Sequence, residues 1–355
     1  MSLTSALDDR KSPVAKFFAA RFPNVRPLQK AFRELIAGRE TLRPIAGPDV
    51  VVPWGPLGAA FDYRLRYYFA DLNPFQTVAF SGLGVLSSDA MLAVTGASGV
   101  AEPGLSDRWT KLMVDFLASL RRVGERTNPA GRRLPRQAED LLNRHCYILA
   151  LLEAFFRVGP TLNSPLYALP EKAGIEELLA VVDPWRDDLR GLSWGFFGTC
   201  QDLLGRDYVL NPTFAGSGLI GGADGDLIVD RCLIEVKTTT APALRSQLLY
   251  QMLGYVLLDF DDRYALDEVG VYMSRQSALV RWRVEEFLEA LAGEPVKLAK
   301  ARTEFEVAVK AAGLQISWAD LLETGRPIVF RSPQRSRELP RRHGMKRASH
   351  ERRTR

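Results

Sequence analysis

Residues 221–255 read GGADGDLIVDRCLIEVKTTTAPALRSQLLYQMLGY. Two apolar runs, Leu227-Ile228-Val229 and Cys232-Leu233-Ile234, flank Asp230-Arg231. Short β-prone runs separated by two turn-prone residues predict a tight hairpin. The turn pairs Val229 with Cys232, and counting back sets Asp226 opposite Glu235. Directly opposed residues of an antiparallel pair point to the same face. Side chains alternate along a strand, so Glu235 and Lys237 share that face and Val236 points away. A carboxylate from each strand and one ammonium are therefore expected at a single spot. Two carboxylates with a backbone carbonyl beside them suit Mg²⁺, which prefers oxygen ligands. A lysine at that spot can position and activate a water for metal-assisted phosphodiester hydrolysis. Asp224 shares the face of Asp226 and is the second choice for the first carboxylate. The alternative for Glu235 and Lys237 is a surface pair across the sheet.

Asp226 followed by Glu235-Val236-Lys237 resembles the D…(D/E)-x-K signature of the PD-(D/E)XK nuclease superfamily. Gln251-Met-Leu-Gly-Tyr255 is similar to the Q-x-x-x-Y motif of its RecB-type and lambda-exonuclease-type branch. Gln251 and Tyr255 are four apart and share a helix face. Gly225 stands where the signature has proline. The resemblance covers roughly residues 140–290. It implies an α/β, restriction-endonuclease-like core, a mixed sheet flanked by helices. It also implies a Mg²⁺- or Mn²⁺-dependent nuclease acting on DNA, in repair or in defence against foreign DNA. Asp226, Glu235 and the Val236 carbonyl would hold the metal, Lys237 would activate water, and Gln251 and Tyr255 would orient substrate or the lysine. A catalytically silent nucleic-acid-binding protein, or a subunit of a larger DNA-processing complex that works only with its partner, is the alternative.

Ala138 to Val158 predicts a long helix with an apolar middle, stopped by Gly159-Pro160. Glu153 lies inside that middle, where a carboxylate is costly unless paired or metal-bound. The superfamily often draws a further acidic ligand from this helix, which makes Glu153 a candidate metal ligand. A helical ion pair with Arg157, four residues on, is the competing explanation. In part of the branch a histidine plays the upstream role, and His145 is the one histidine outside the C-terminal tail. It is weighed against an ordinary structural histidine.

The rest of the chain frames this core. A mostly helical region is expected over 1–134, the core over 135–295 with a helical insertion at about 160–208, a helical segment over 296–330 and a basic, disordered tail over 331–355. Helices are expected over Val14–Phe22, Leu28–Ile36, Ala60–Phe69 and Arg108–Val123, with a β-like run over Asp49–Trp54 and a loop over Arg122–Arg136. Two helices, Gly174–Leu192 and Trp194–Leu204, precede the hairpin. After it come a helix over Pro242–Phe260, strands over Asp267–Ser274 and Leu279–Val284, and helices over Glu285–Ala292 and Pro295–Ala312. Within Ala60–Phe69 five aromatics stand beside Arg64 and Arg66, which suggests either base stacking with phosphate contacts or a buried face. A protein partner could dock on the N-terminal region.

Formal charge is +5, but the stretch from Arg331 onward holds ten Lys/Arg against two Glu, leaving the remainder at −3. The overall basic balance therefore says little about the folded body. Cys146, Cys200 and Cys232 lack C-x-x-C spacing. They predict a reducing, cytoplasmic setting without disulfides, zinc or an iron–sulfur cluster. No apolar run is long enough to predict a membrane span.

Overall fold

Type I′ geometry forms at the predicted turn. Asp230 and Arg231 both adopt positive φ (45° and 71°), the twist that a two-residue hairpin loop requires. In the computed structural model, which describes residues 2–45, 52–86, 105–159, 164–170 and 172–314, this hairpin is the middle of a five-stranded mixed sheet. The strands are β1 (Tyr208–Leu210), β2 (Leu227–Val229), β3 (Cys232–Lys237), β4 (Glu268–Met273) and β5 (Ala278–Arg283), in that spatial order. β1/β2, β2/β3 and β4/β5 are antiparallel, and β3/β4 is parallel. The parallel pair needs a crossover, supplied by the helix Ser246–Leu258. The protein is thus an α/β fold with a mixed sheet flanked by helices.

Twelve α-helices are described: α1 (Leu3–Asp8), α2 (Pro13–Arg21), α3 (Arg26–Ile36), α4 (Trp54–Phe69), α5 (Val78–Leu86), α6 (Leu105–Thr127), α7 (Arg136–Val158), α8 (Ile175–Ala180), α9 (Arg186–Cys200), α10 (Ser246–Leu258), α11 (Val284–Ala292) and α12 (Leu298–Leu314). Local chemistry sets many ends. Ser12 accepts from Ala15 N–H and Pro13 opens α2. Gly159, at φ 88°, follows α7.

The two faces of the sheet bury different partners. Ile228, Leu233, Val269, Val271 and Met273 share a core with Leu249, Met252, Leu253 and Val256 of α10. Leu3, Phe18 and Phe32 from α1–α3 and Phe305 from α12 lie in the same cluster. On the opposite face Leu227, Val229, Cys232, Ile234 and Tyr272 meet Phe61, Leu65 and Tyr68 of α4 and Leu192 and Phe196 of α9. Behind α4 the helices α6, α7 and α8 bury a third, helical core around Phe116, Tyr147 and Trp185. The described residues form one unit. α5 lies directly on α7: a Cβ added at Gly82 would stand 1.7 Å from the Leu152 carbonyl oxygen.

Several local expectations are corrected. Trp54 opens α4 rather than ending a strand, while residues 49–51 of that β-like run lie outside the described residues. α6 continues to Thr127, so the loop before α7 shrinks to 128–135. The break expected near Ser193 falls earlier: the expected helix Gly174–Leu192 is interrupted after Ala180 by a 3-10 turn at Asp183–Trp185, and α9 then runs unbroken through Ser193. α10 starts at Ser246 rather than Pro242, since Arg245 is extended (ψ 153°). β1 was not foreseen: three residues are too few to display alternation. The predicted basic tail over 331–355 lies outside the described residues. The three cysteines are buried and unbridged. Among the described residues no helix is long and apolar enough to cross a membrane.

Candidate active site

The β2–β3 ladder ends at Leu227↔Ile234. Beyond it β3 runs on through Glu235, Val236 and Lys237, paired with β4 on one side alone. The edge left open by β2 exposes the Val236 N–H, which donates to Asp226 Oδ2 at 2.7 Å. Asp226 thus reaches around the end of its own strand toward β3. Glu235, 2 % exposed, lies on the face predicted for it. Lys237 Nζ donates to Glu235 Oε1 at 2.6 Å. Glu235 Oε2 is buried and has no hydrogen-bond partner among the described residues.

This arrangement concentrates charge. Burial, reinforced by Glu235, pushes the Asp226 carboxyl up to about 7. Burial works against the Lys237 ammonium, but Glu235 and Asp226 outweigh it and hold its pKa above the ordinary lysine value. Lys237 therefore keeps its proton at neutral pH. The segment beyond it is pinned: Ser274 Oγ donates to the Lys237 carbonyl (3.3 Å) and contacts Thr238 Oγ1 (3.0 Å).

Gln251 and Tyr255 project from α10, the helix packed on the same sheet face. Gln251 Nε2 donates to Tyr255 Oη at 2.9 Å. Tyr255 is buried and stacks on Phe214, 5.6 Å between ring centres. Burial first, then Glu235, raise the Tyr255 pKa.

Glu153 has both oxygens engaged. Arg157 Nε donates to Oε1 (2.5 Å) and the Tyr63 hydroxyl to Oε2 (2.5 Å). Burial opposes its ionisation, yet Arg157 and Tyr63 hold its pKa below the ordinary glutamate value. Arg157 Nη2 also lies 3.6 Å from Asp224 Oδ2, so α7 is tied to the approach of β2. His145 is engaged elsewhere, with Nδ1 at 2.8 Å from the Leu141 carbonyl and Nε2 at 3.0 Å from Ser119 Oγ. Stacked on Phe116 and buried, it is pushed down to about 4. Its contacts lie in the helical core of α6 and α7.

Two residues missed in the sequence also belong to this neighbourhood. Gly58 of α4 lies beside Thr238: an added Cβ would stand 3.8 Å from the Thr238 Cβ. One turn on, Asp62 Oδ2 accepts from Arg66 Nη2, while Asp62 Oδ1 is buried without a partner among the described residues. Burial pushes Asp62 up to about 6 against the pull of Arg66, with Asp226 and Glu153 adding to the rise. The available signal was the i,i+4 acid–base pair in an otherwise apolar helix. The stacking surface suggested for this helix is not there. Phe61, Tyr63, Tyr67, Tyr68 and Phe69 are all buried, and Arg64 is sealed in a two-point pair with Glu139 (2.7 and 3.0 Å).

Among the described residues no three His, Cys, Asp or Glu side chains converge as a metal-ligand group. What converges is the pair Asp226 and Glu235, with Lys237 against it. Compared with models of protein families, with curated proteins and with solved structures, the chain matches none.

Proposed function

We propose that this chain is a divalent-metal-dependent nuclease that hydrolyses DNA phosphodiester bonds, on a restriction-endonuclease-like core. One observation carries the reading: Asp226 and Glu235 meet from antiparallel strands, Lys237 Nζ is held against Glu235, and the second Glu235 oxygen is buried without a donor among the described residues. A buried acceptor left unpaired is costly. A cation relieves that cost, and Mg²⁺ is commonly held by one or two carboxylates while keeping several waters. The donor set therefore suits Mg²⁺ or Mn²⁺ without a third acidic side chain. Asp226, Glu235 and the Val236 carbonyl would hold it. In a strand the N–H and C=O of one residue leave the same edge, so the carbonyl faces the gap where the Val236 N–H meets Asp226.

The metal, when bound, would offset charge building on the phosphate and favour hydroxide. The chain supplies the rest. Lys237 holds a proton at Nζ and acts as a donor that orients water or stabilises developing negative charge. Gln251 and Tyr255 offer an amide and a hydroxyl from α10 to the substrate or to the lysine. Glu153, with both oxygens occupied, braces Arg157 and Tyr63.

The test is cleavage of labelled linear and circular DNA, single- and double-stranded, with Mg²⁺, Mn²⁺ or EDTA. Wild type is compared with Asp226→Ala and Lys237→Ala prepared identically. Metal-dependent cutting by wild type alone supports the reading, and preference for linear over circular DNA identifies exonuclease action. Equal cutting by all three proteins overturns it. If nothing cuts, Mn²⁺ binding that disappears in Asp226→Ala points to a missing partner, and no binding at all removes the metal from the site.

A further inference from the structure

We propose that the exposed face of α3 is the path along which a nucleic-acid backbone leaves the cut site. The proposal rests on the nuclease reading above and names where its substrate lies.

α3 divides sharply. Leu28, Phe32 and Ile36 are buried in the core shared with α10. Arg26, Lys30 and Arg33 recur at helical spacing on the exposed side. Together with Asn24 and Gln29 they line a shallow groove of about 620 Å³. Lys30 touches Glu34 at 3.9 Å, while Arg26 and Arg33 make no ion pair among the described residues. The cations rise about 10 Å along the helix, at 1.5 Å per residue.

Gln29 fixes this face relative to the site. Its Nε2 donates to the Leu244 carbonyl at 3.0 Å. Leu244 follows Lys237 by seven residues, a reach of at most about 25 Å even fully extended. Arg245, also exposed and without an ion pair among the described residues, comes next at the foot of α10. Leu244, where this face is anchored, therefore lies within about seven steps of a duplex from the lysine at the cut, and the cations extend about 10 Å along α3.

The chemistry fits a polyanion of regular spacing. Guanidinium forks bind phosphate oxygens at two points and stay charged at any working pH. Asn24 adds a neutral donor just ahead of Arg26, while the Gln29 amide holds the Leu244 carbonyl. A second groove, between α6 and α7, also carries Arg122 and Arg126, but among the described residues no hydrogen bond or ion pair connects it with Asp226, Glu235 or Lys237. It serves as the comparison surface.

The experiment measures binding of fluorescein-labelled oligonucleotides by anisotropy in EDTA, where nothing is cut. A dinucleotide is confined to the cut site, and a strand of about 20 nucleotides spans both the cut site and the groove. Arg26→Ala/Lys30→Ala/Arg33→Ala is compared with wild type and with Arg122→Ala/Arg126→Ala of the second groove combined with Lys111→Ala, a third exposed cation on the same helix α6 outside the groove. The α3 variant is expected to bind the long strand about tenfold more weakly, with a salt slope lower by about 2–3, and the short strand unchanged. The α6 variant should match wild type for both. Long-strand binding that survives in the α3 variant overturns the path, as an acidic protein docking on α3 would predict. An equal loss in the α6 variant also overturns it. Wild type that binds neither length in EDTA, nor when Ca²⁺ replaces EDTA, overturns the nuclease reading itself.

Discussion

Lys237 Nζ stands 2.6 Å from Glu235 Oε1, two residues back on the same face of β3. The pair looks like a plain ion pair until its surroundings are counted. Glu235 keeps a second oxygen buried and without a partner among the described residues, and Asp226 adds another carboxylate beside it. Two acidic groups and one ammonium share the site, so its net charge is negative only once Asp226 ionises, above about pH 7.

If the site works as proposed, Glu235→Gln and Lys237→Ala each lower cleavage by about 100-fold or more, the scale of removing one preorganised electrostatic group. Thermal midpoints should move far less than activity. Single-turnover cleavage beside circular-dichroism melts separates the two effects. A variant that loses activity only in proportion to folded protein would make these residues merely structural.

Asp226 links folding to pH. Its folded pKa, about 7, lies above its unfolded value, near 3.8. Between those limits the folded state holds a proton that the unfolded chain has lost. Its contribution to stability is therefore fully present below pH 4 and is lost as pH rises toward 7. Asp226→Asn should raise the thermal midpoint of metal-free protein at pH 8 and change it little at pH 4. A midpoint that falls equally at both values would deny the carboxylate its raised pKa.

The same carboxylate should make metal affinity depend on pH. Below about 7 a cation must displace the Asp226 proton, so Mn²⁺ affinity should rise up to tenfold per pH unit and level off above. Calorimetry in buffers of different ionisation heat would register the released proton. Flat affinity from pH 5 to 8 is the contrary result.

Arg64 and Glu139 test the helical core. Both are fully buried and paired at two points. Glu139→Ala leaves an unpaired buried guanidinium and should cost about 3–5 kcal/mol. Arg64→Met/Glu139→Leu should recover most of that loss. Urea unfolding of both variants gives the comparison, and a double variant no better than the single would refute a charge-based cost.

Gly82→Ala should destabilise by about 1–3 kcal/mol through overpacking. The new methyl would meet a backbone oxygen of α7, which cannot rotate away. Glycine-to-alanine inside a helix otherwise stabilises by about 1 kcal/mol. The sign of the change in urea midpoint decides whether α5 sits as closely on α7 as described.

The hairpin and its register were legible because their signals are local. The two-residue turn and the period of two suffice to bring Asp226 opposite Glu235, and Gln251 to Tyr255 is one turn of one helix. Asp62 and Arg66 were not legible as neighbours of Asp226, since more than 150 residues separate them and only packing of α4 along the sheet joins them. The aromatics of α4 misled for a related reason. One helix face meets the sheet and another meets α7, so nearly every side chain is buried and no solvated stripe remains. Glu153 was readable in both its guises; Tyr63, again distant in sequence, supplies the second partner.

The first three helices have their apolar partners almost at the other end of the chain. Leu3, Phe18 and Phe32 pack with α10 and α12, more than 200 residues later. A ribosome adding about 5–20 residues per second needs about 10–40 s to deliver those partners. During that interval the nascent amphipathic helices have nothing of their own to cover them, and the proposed nucleic-acid path on α3 has no floor. The front of this molecule is thus made before the partners that bury it, and the core it shares with them closes only once synthesis has passed α12.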